Sequence, residues 1–123
     1  MTQEEKQLLL KDLCARLPYG VMYETSYGPR ILNDLFIYSN GPVYTDHAVG
    51  EYNQIYGVEL QHIKLYLRPM SSMTEEEREE YEQWLPDGYN IDTFDWLLSH
   101  HFDFRGLIEK GLALEAPEGM YKA

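Results

Sequence analysis

A single cysteine, Cys14, stands in a chain of 123 residues. One thiol closes no internal disulfide and builds no cysteine-based zinc cluster, so a reducing, cytoplasmic compartment is expected. Long apolar runs are also missing. The opening "MTQEEKQLLL" begins with acids and holds three consecutive leucines, which fits neither a signal peptide nor a membrane span. Glycine-rich phosphate loops are lacking as well: "YGP", "NGP" and "VGEY" have neither the P-loop nor the dinucleotide spacing. There is no GxSxG elbow. Positive charge is scarce in the second half. Residues 71–123 carry 13 acids and 4 bases while residues 1–70 carry 8 and 6, dividing the net −11 into −9 and −2. Such a field repels phosphate backbones and anionic membrane surfaces, so direct nucleic-acid binding and membrane association are not expected. A basic protein partner would be steered in.

What is present suits one domain, residues 1–123, with enough length for a single core. The balance of 44% apolar and 25% charged residues is that of a globular protein, and no repeat, linker or low-complexity run divides the chain. Of the 11 tyrosines, most precede residue 71, which points to a β-rich first half.

The first element reads as a helix from Gln3 to Arg16. Thr2 and Glu5 have the spacing of a capping box, and Pro18 ends the helix. Leu10, Leu13, Cys14 and Leu17 recur at helical spacing, which predicts a buried Cys14 thiol. The period then changes. "VMYETS", "RILNDLFIYS" and "VYTD" predict antiparallel strands near 20–26, 30–39 and 43–47, with a turn at Asn40–Gly41 and a strand end or bulge at Asn33–Asp34. Residues 48–57 fit a fourth strand or a loop, and "VELQHIKLYLRP" predicts a short helical turn before Pro69. Helices are predicted over about 75–85, 92–101 and 104–110, followed by an extended tail. In "RGLIEKGL", Gly111 fits a left-handed helix ending with Leu112 against Leu107.

"SSMTEEEREEYEQWLP", residues 71–86, holds six glutamates and one arginine. Thr74 and Glu77 form a second capping-box pattern, and acids in the first turn suit the positive helix end. Glu76, Glu79 and Glu80 fall on the outer face, as a solvated surface or as a patch for a basic partner. Tyr19, Tyr23 and Tyr38 are the tyrosines that would anchor a protein interface if exposed.

The stretch "SHHFD" supplies His100, His101 and Asp103, residue types that bind zinc, manganese or iron. Neighbours on a helix point about 100° apart, so the two histidines should not share one metal. A site would need one of them, Asp103 and a distant ligand such as His47, Asp46 or His62. The structural alternative is that Asp92 caps the helix, a histidine complements its C-terminal end, and Asp103 caps the next turn. Arg105, beside Asp103, would form a buried pair with it or a recognition point.

"LYLRPMSSMTEEE", "DWLLSHHFDFRGLIEKGLALEAP" and "LCARLPYGV" resemble a group of short uncharacterised proteins of gut Bacteroidales, often carried on prophage or other mobile DNA. The resemblance covers both ends of the chain and leaves the middle, about Met22 to Glu59, freer. It implies a phage or mobile-element setting and brings no activity or catalytic residue.

The expected fold is α+β. A small antiparallel sheet from about residues 20–58 would pack against the N-terminal helix and two to three C-terminal helices. The leading functional expectation is a non-enzymatic, cytoplasmic protein–protein interaction module without cofactor, using the acidic helix or the tyrosine-bearing sheet. One alternative is an acidic nucleic-acid mimic or inhibitor from a mobile element, acting through residues 75–82. The other is a small metal-dependent enzyme around His100, His101 and Asp103.

Overall fold

Helix α1 (Gln3–Arg16) starts at the Thr2 cap, whose hydroxyl accepts from Glu5 N–H while Glu5 reaches back to Thr2 N–H. A 3-10 turn at Leu17–Tyr19, with Pro18 in its first turn, ends it. The computed structural model describes residues 2–25, 28–32, 34–37, 43–49, 54–56, 60–84, 88 and 90–121. The buried stripe of α1 is Leu9, Asp12, Leu13 and Arg16, so the inner face is turned by about one residue from the leucine pattern. Cys14 lies on the exposed side, which corrects the expectation of a buried thiol. Charge explains the rotation. Arg16 Nε donates to Asp12 Oδ2 at 2.6 Å with both side chains at 0% exposure, so two charged residues occupy core positions that a hydropathy pattern reads as surface.

The fold is α+β, as expected, with a different distribution of strands. β1 (Met22–Tyr23), β2 (Arg30–Ile31), β6 (Leu65–Leu67) and β7 (Ala113–Glu115) make a four-stranded sheet in the order β2-β1-β6-β7. β1 is antiparallel to both neighbours and β6 runs parallel to β7, so the sheet is mixed and draws two strands from beyond residue 58. "LYL" is a central strand instead of a helical turn. Leu65, Tyr66 and Leu67 are all buried, and a strand covered on both faces reads as a continuous apolar run. The helical turn expected in that region is a 3-10 turn at Leu60–His62 just before it. β3 (Asp34–Ile37), β4 (Val43–Val49) and β5 (Gln54–Tyr56) form a separate antiparallel sheet. The chain thus passes between sheets where a strand end was expected, and residues 54–56 are a strand. The Asn40–Gly41 turn lies outside the described residues.

α2 (Glu75–Trp84) begins with the Thr74–Glu77 capping box. α3 (Ile91–Ser99) is capped by Asn90 with Thr93, not by Asp92, which sits within the first turn. Residues 104–110 form turns instead of a third C-terminal helix. Gly106 sits at φ +73°, a left-handed conformation that interrupts helical propagation. The predicted ending is nonetheless present: Gly111 has φ +73°, Gly111 N–H donates to Ile108 O at 3.0 Å, and Leu112 N–H donates to Leu107 O at 2.9 Å.

The core joins Leu9 and Leu13 of α1, Tyr23, Leu65 and Ala113 of the sheet, and Ile63, Leu107 and Leu112 of the connections. Among the described residues no helix is long and apolar enough to cross a membrane.

Candidate functional site

Arg68 directly follows β6 and organises the junction of the sheet with α2 and α3. Its N–H donates to His101 O and its carbonyl accepts from Asp103 N–H, both at 2.8 Å, so the end of α3 continues the sheet as a bridge to Phe102. The Arg68 guanidinium stacks 4.2 Å from the Phe102 ring centre and donates two bonds to Glu77, of 2.7 and 2.6 Å. This bidentate pairing, helped by the Thr74 N–H, lowers the Glu77 carboxyl to about pKa 2. His100 Nδ1 lies 3.3 Å from the same carboxylate. Nearby, Trp96 Nε1–H donates to Glu80 at 2.8 Å while Tyr81 stacks on the Trp96 ring at 5.8 Å. The glutamates of α2 therefore help to dock the helix.

α3 ends in a left-handed residue that is not glycine. His101 has φ 64°, and the bonds His101 N–H to Leu98 O and Phe102 N–H to Leu97 O complete the same helix-ending pattern as at Gly111. A Cβ in this conformation is penalised, and stacking of the imidazole on Tyr121, 3.8 Å between ring centres, opposes that cost. Burial pulls His101 down to about pKa 4, with the positive charges of Arg16 and Arg68 adding to it. Its Nδ1 is buried without a hydrogen-bond partner.

Tyr121 in turn is wedged into the sheet. Glu24 N–H bonds Lys64 O at 2.9 Å and Tyr23 faces Leu65, so antiparallel alternation makes Met22–Tyr66 the next bonded pair. The Tyr121 hydroxyl stands in that place, accepting from Met22 N–H at 2.8 Å and donating to Tyr66 O at 2.6 Å. Burial raises its phenol to about pKa 12. Residues 115–121 are thereby strapped across the end of the sheet.

A broad, open cleft runs between this strap, α2 and the end of α3. Among the described residues five glutamates line it, Glu76, Glu77, Glu80, Glu115 and Glu118, against one arginine, Arg68.

The residues singled out in the sequence meet different fates. Glu76, Glu79 and Glu80 are exposed on α2; Glu76 and Glu80 line the cleft and Glu79 does not. Tyr23 is a correction: it is a fully buried core residue, because its strand turns it towards α1 and Leu65, and it cannot anchor a partner. Tyr19 is half-buried in the turn after α1, and Tyr38 lies outside the described residues. His100, His101 and Asp103 do not converge. His100 approaches Glu77, His101 stacks on Tyr121, and Asp103 accepts Leu107 and Ile108 N–H at 2.8 and 2.9 Å as a cap. Among the described residues no three His, Cys, Asp or Glu side chains come together to hold a metal ion.

Sequence reasoning missed the buried cluster behind "HHFDFRG". Arg105 donates to Asp12 Oδ1 at 3.0 Å rather than pairing with Asp103, and Arg16 donates to Phe102 O at 2.7 Å. Asp12 thus bridges two arginines, both of which also lie over the Phe104 ring. The available signal was the acid-before-base spacing of Asp12 and Arg16, a favoured helical pair.

No protein-family model, curated protein or solved structure matches this chain.

Proposed function

We propose that the protein is a non-enzymatic interaction module that binds a basic segment of a protein partner at the cleft between α2 and the 115–121 strap. The observation that carries this reading is the gathering of Glu76, Glu80, Glu115 and Glu118 around one concavity whose arginine is already locked onto Glu77. Carboxylates held on a capped helix and a strapped tail need little reordering on binding, and their summed field accelerates the encounter with a cationic partner. A nucleic-acid mimic would space its charges along an extended surface; acids bracketing a cleft suit a peptide better. The cytoplasm is the proposed compartment, on the strength of a lone, exposed thiol.

The test is a titration of a labelled lysine–serine peptide at several salt concentrations. Binding at low salt that weakens with rising salt is expected. Glu76→Gln/Glu80→Gln should weaken it and flatten the salt dependence, with Glu79→Gln changing it less. Folding stability of the double variant should fall by no more than about 1 kcal/mol, since Glu76 is exposed and a glutamine at position 80 can still accept from the Trp96 indole N–H. Absence of binding at low salt would refute the proposal.

A further inference from the structure

Four side chains stand in one row across the four-stranded sheet. Ile31 pairs with Met22 and Tyr66 with Leu114, while Tyr23 opposite Leu65 sets Met22 opposite Tyr66. Tyr23, Leu65 and Ala113 point into the core, so strand alternation turns Ile31, Met22, Tyr66 and Leu114 to the opposite face. The ends of the row are open, with Ile31 at 51% and Leu114 at 37% exposure. One end runs into the acidic cleft, which Met22 and Ile31 line together with Glu76, Glu80, Glu115 and Glu118.

We infer that the cleft takes an amphipathic basic segment, with an aliphatic side chain seated on Ile31 and Met22 and lysines or arginines facing the flanking glutamates. This rests on the acidic-docking reading above and names the chemistry of its partner. Charge complementarity chooses the occupant. A purely apolar ligand would desolvate carboxylates without pairing them, which is costly. A purely cationic one would leave Ile31 in water and forgo the burial that distinguishes one basic segment from another. In an extended segment alternate residues face opposite sides, so a lysine–leucine repeat seats its leucines on Ile31 and Met22 while the long lysine stems curve back to bring their ammonium groups to the flanking carboxylates.

The experiment compares two labelled peptides of equal charge on the intact chain, one alternating lysine with leucine and one alternating lysine with serine. Seating a leucine side chain should make the first bind about tenfold tighter or more. Ile31→Asn should remove that advantage while changing the lysine–serine affinity less than about threefold; the melting temperature should drop by a few degrees, because half of the Ile31 side chain is buried in its strand. Ile31→Leu should keep the advantage. Equal affinities for the two peptides, equal binding of spermine, or an advantage that survives Ile31→Asn would each overturn the amphipathic assignment and leave acidic docking standing. If neither peptide binds, the docking reading itself falls.

Discussion

His101 combines a left-handed backbone, a half-buried imidazole and an aromatic partner in one residue. Its pKa of about 4 in the fold lies below the ordinary 6.5. Between those values the unfolded chain binds more protons, so stability falls as pH drops through that window and the loss levels off below it. His101→Asn keeps a side chain that tolerates the left-handed region and removes the titration. The variant should melt lower at pH 7, through loss of the Tyr121 stack, and should lose the part of the parent's acid sensitivity between pH 4 and 6.5. Thermal melts across pH check this, and an unchanged slope would contradict it. Glu77 acts in a lower window. Its depressed carboxyl stabilises the fold above the unfolded value of 4.5, and that contribution fades as pH falls towards about 2. Asp12 is the most exacting residue of the interior. Asp12→Ala would strand Arg16 and Arg105 without their shared carboxylate, at a cost of about 3–5 kcal/mol, measurable by denaturant unfolding.

At the scale of elements, the capped segments were the most legible. The start of α1 at the Thr2 box, the start of α2 at the Thr74 box and the left-handed ending at Gly111 all follow from local chemistry that short stretches encode. Gly111→Ala should therefore cost about 1 kcal/mol, read as a lower melting temperature, because the penalty lies in φ and not in crowding: nothing approaches the added Cβ. Other elements were hidden because partners distant in sequence decide them. β6 is a strand because β1 and β7 flank it, and β7 arrives some fifty residues later in the chain. The inner face of α1 is set by Arg16 reaching the Phe102 carbonyl and by Arg105 reaching Asp12, neither visible in the helix's own periodicity. The site was legible in the same proportion. The acid-rich face of α2 could be read, whereas the Arg68–Glu77 lock and the Tyr121 wedge each depend on a contact between separate elements.

At the scale of the molecule, the −9 charge of residues 71–123 is not spread evenly over one surface. α2 and the strap place part of it around a single cleft, which the exposed Ile31 end of the apolar row also lines. Like charges gathered around one concavity focus the field there more strongly than an isolated helix face does. The most direct measurement is the location of a bound cation-rich probe. Amide chemical-shift mapping with the lysine–leucine peptide should move Glu76, Glu80, Glu115, Glu118, Met22 and Ile31, together with the indole N–H of Trp96, which bonds Glu80. The outer face of α1, at Gln7, Lys11 and Cys14, should stay unmoved. Shifts centred on that face of α1, or scattered over the surface without focus on the cleft, would contradict the account.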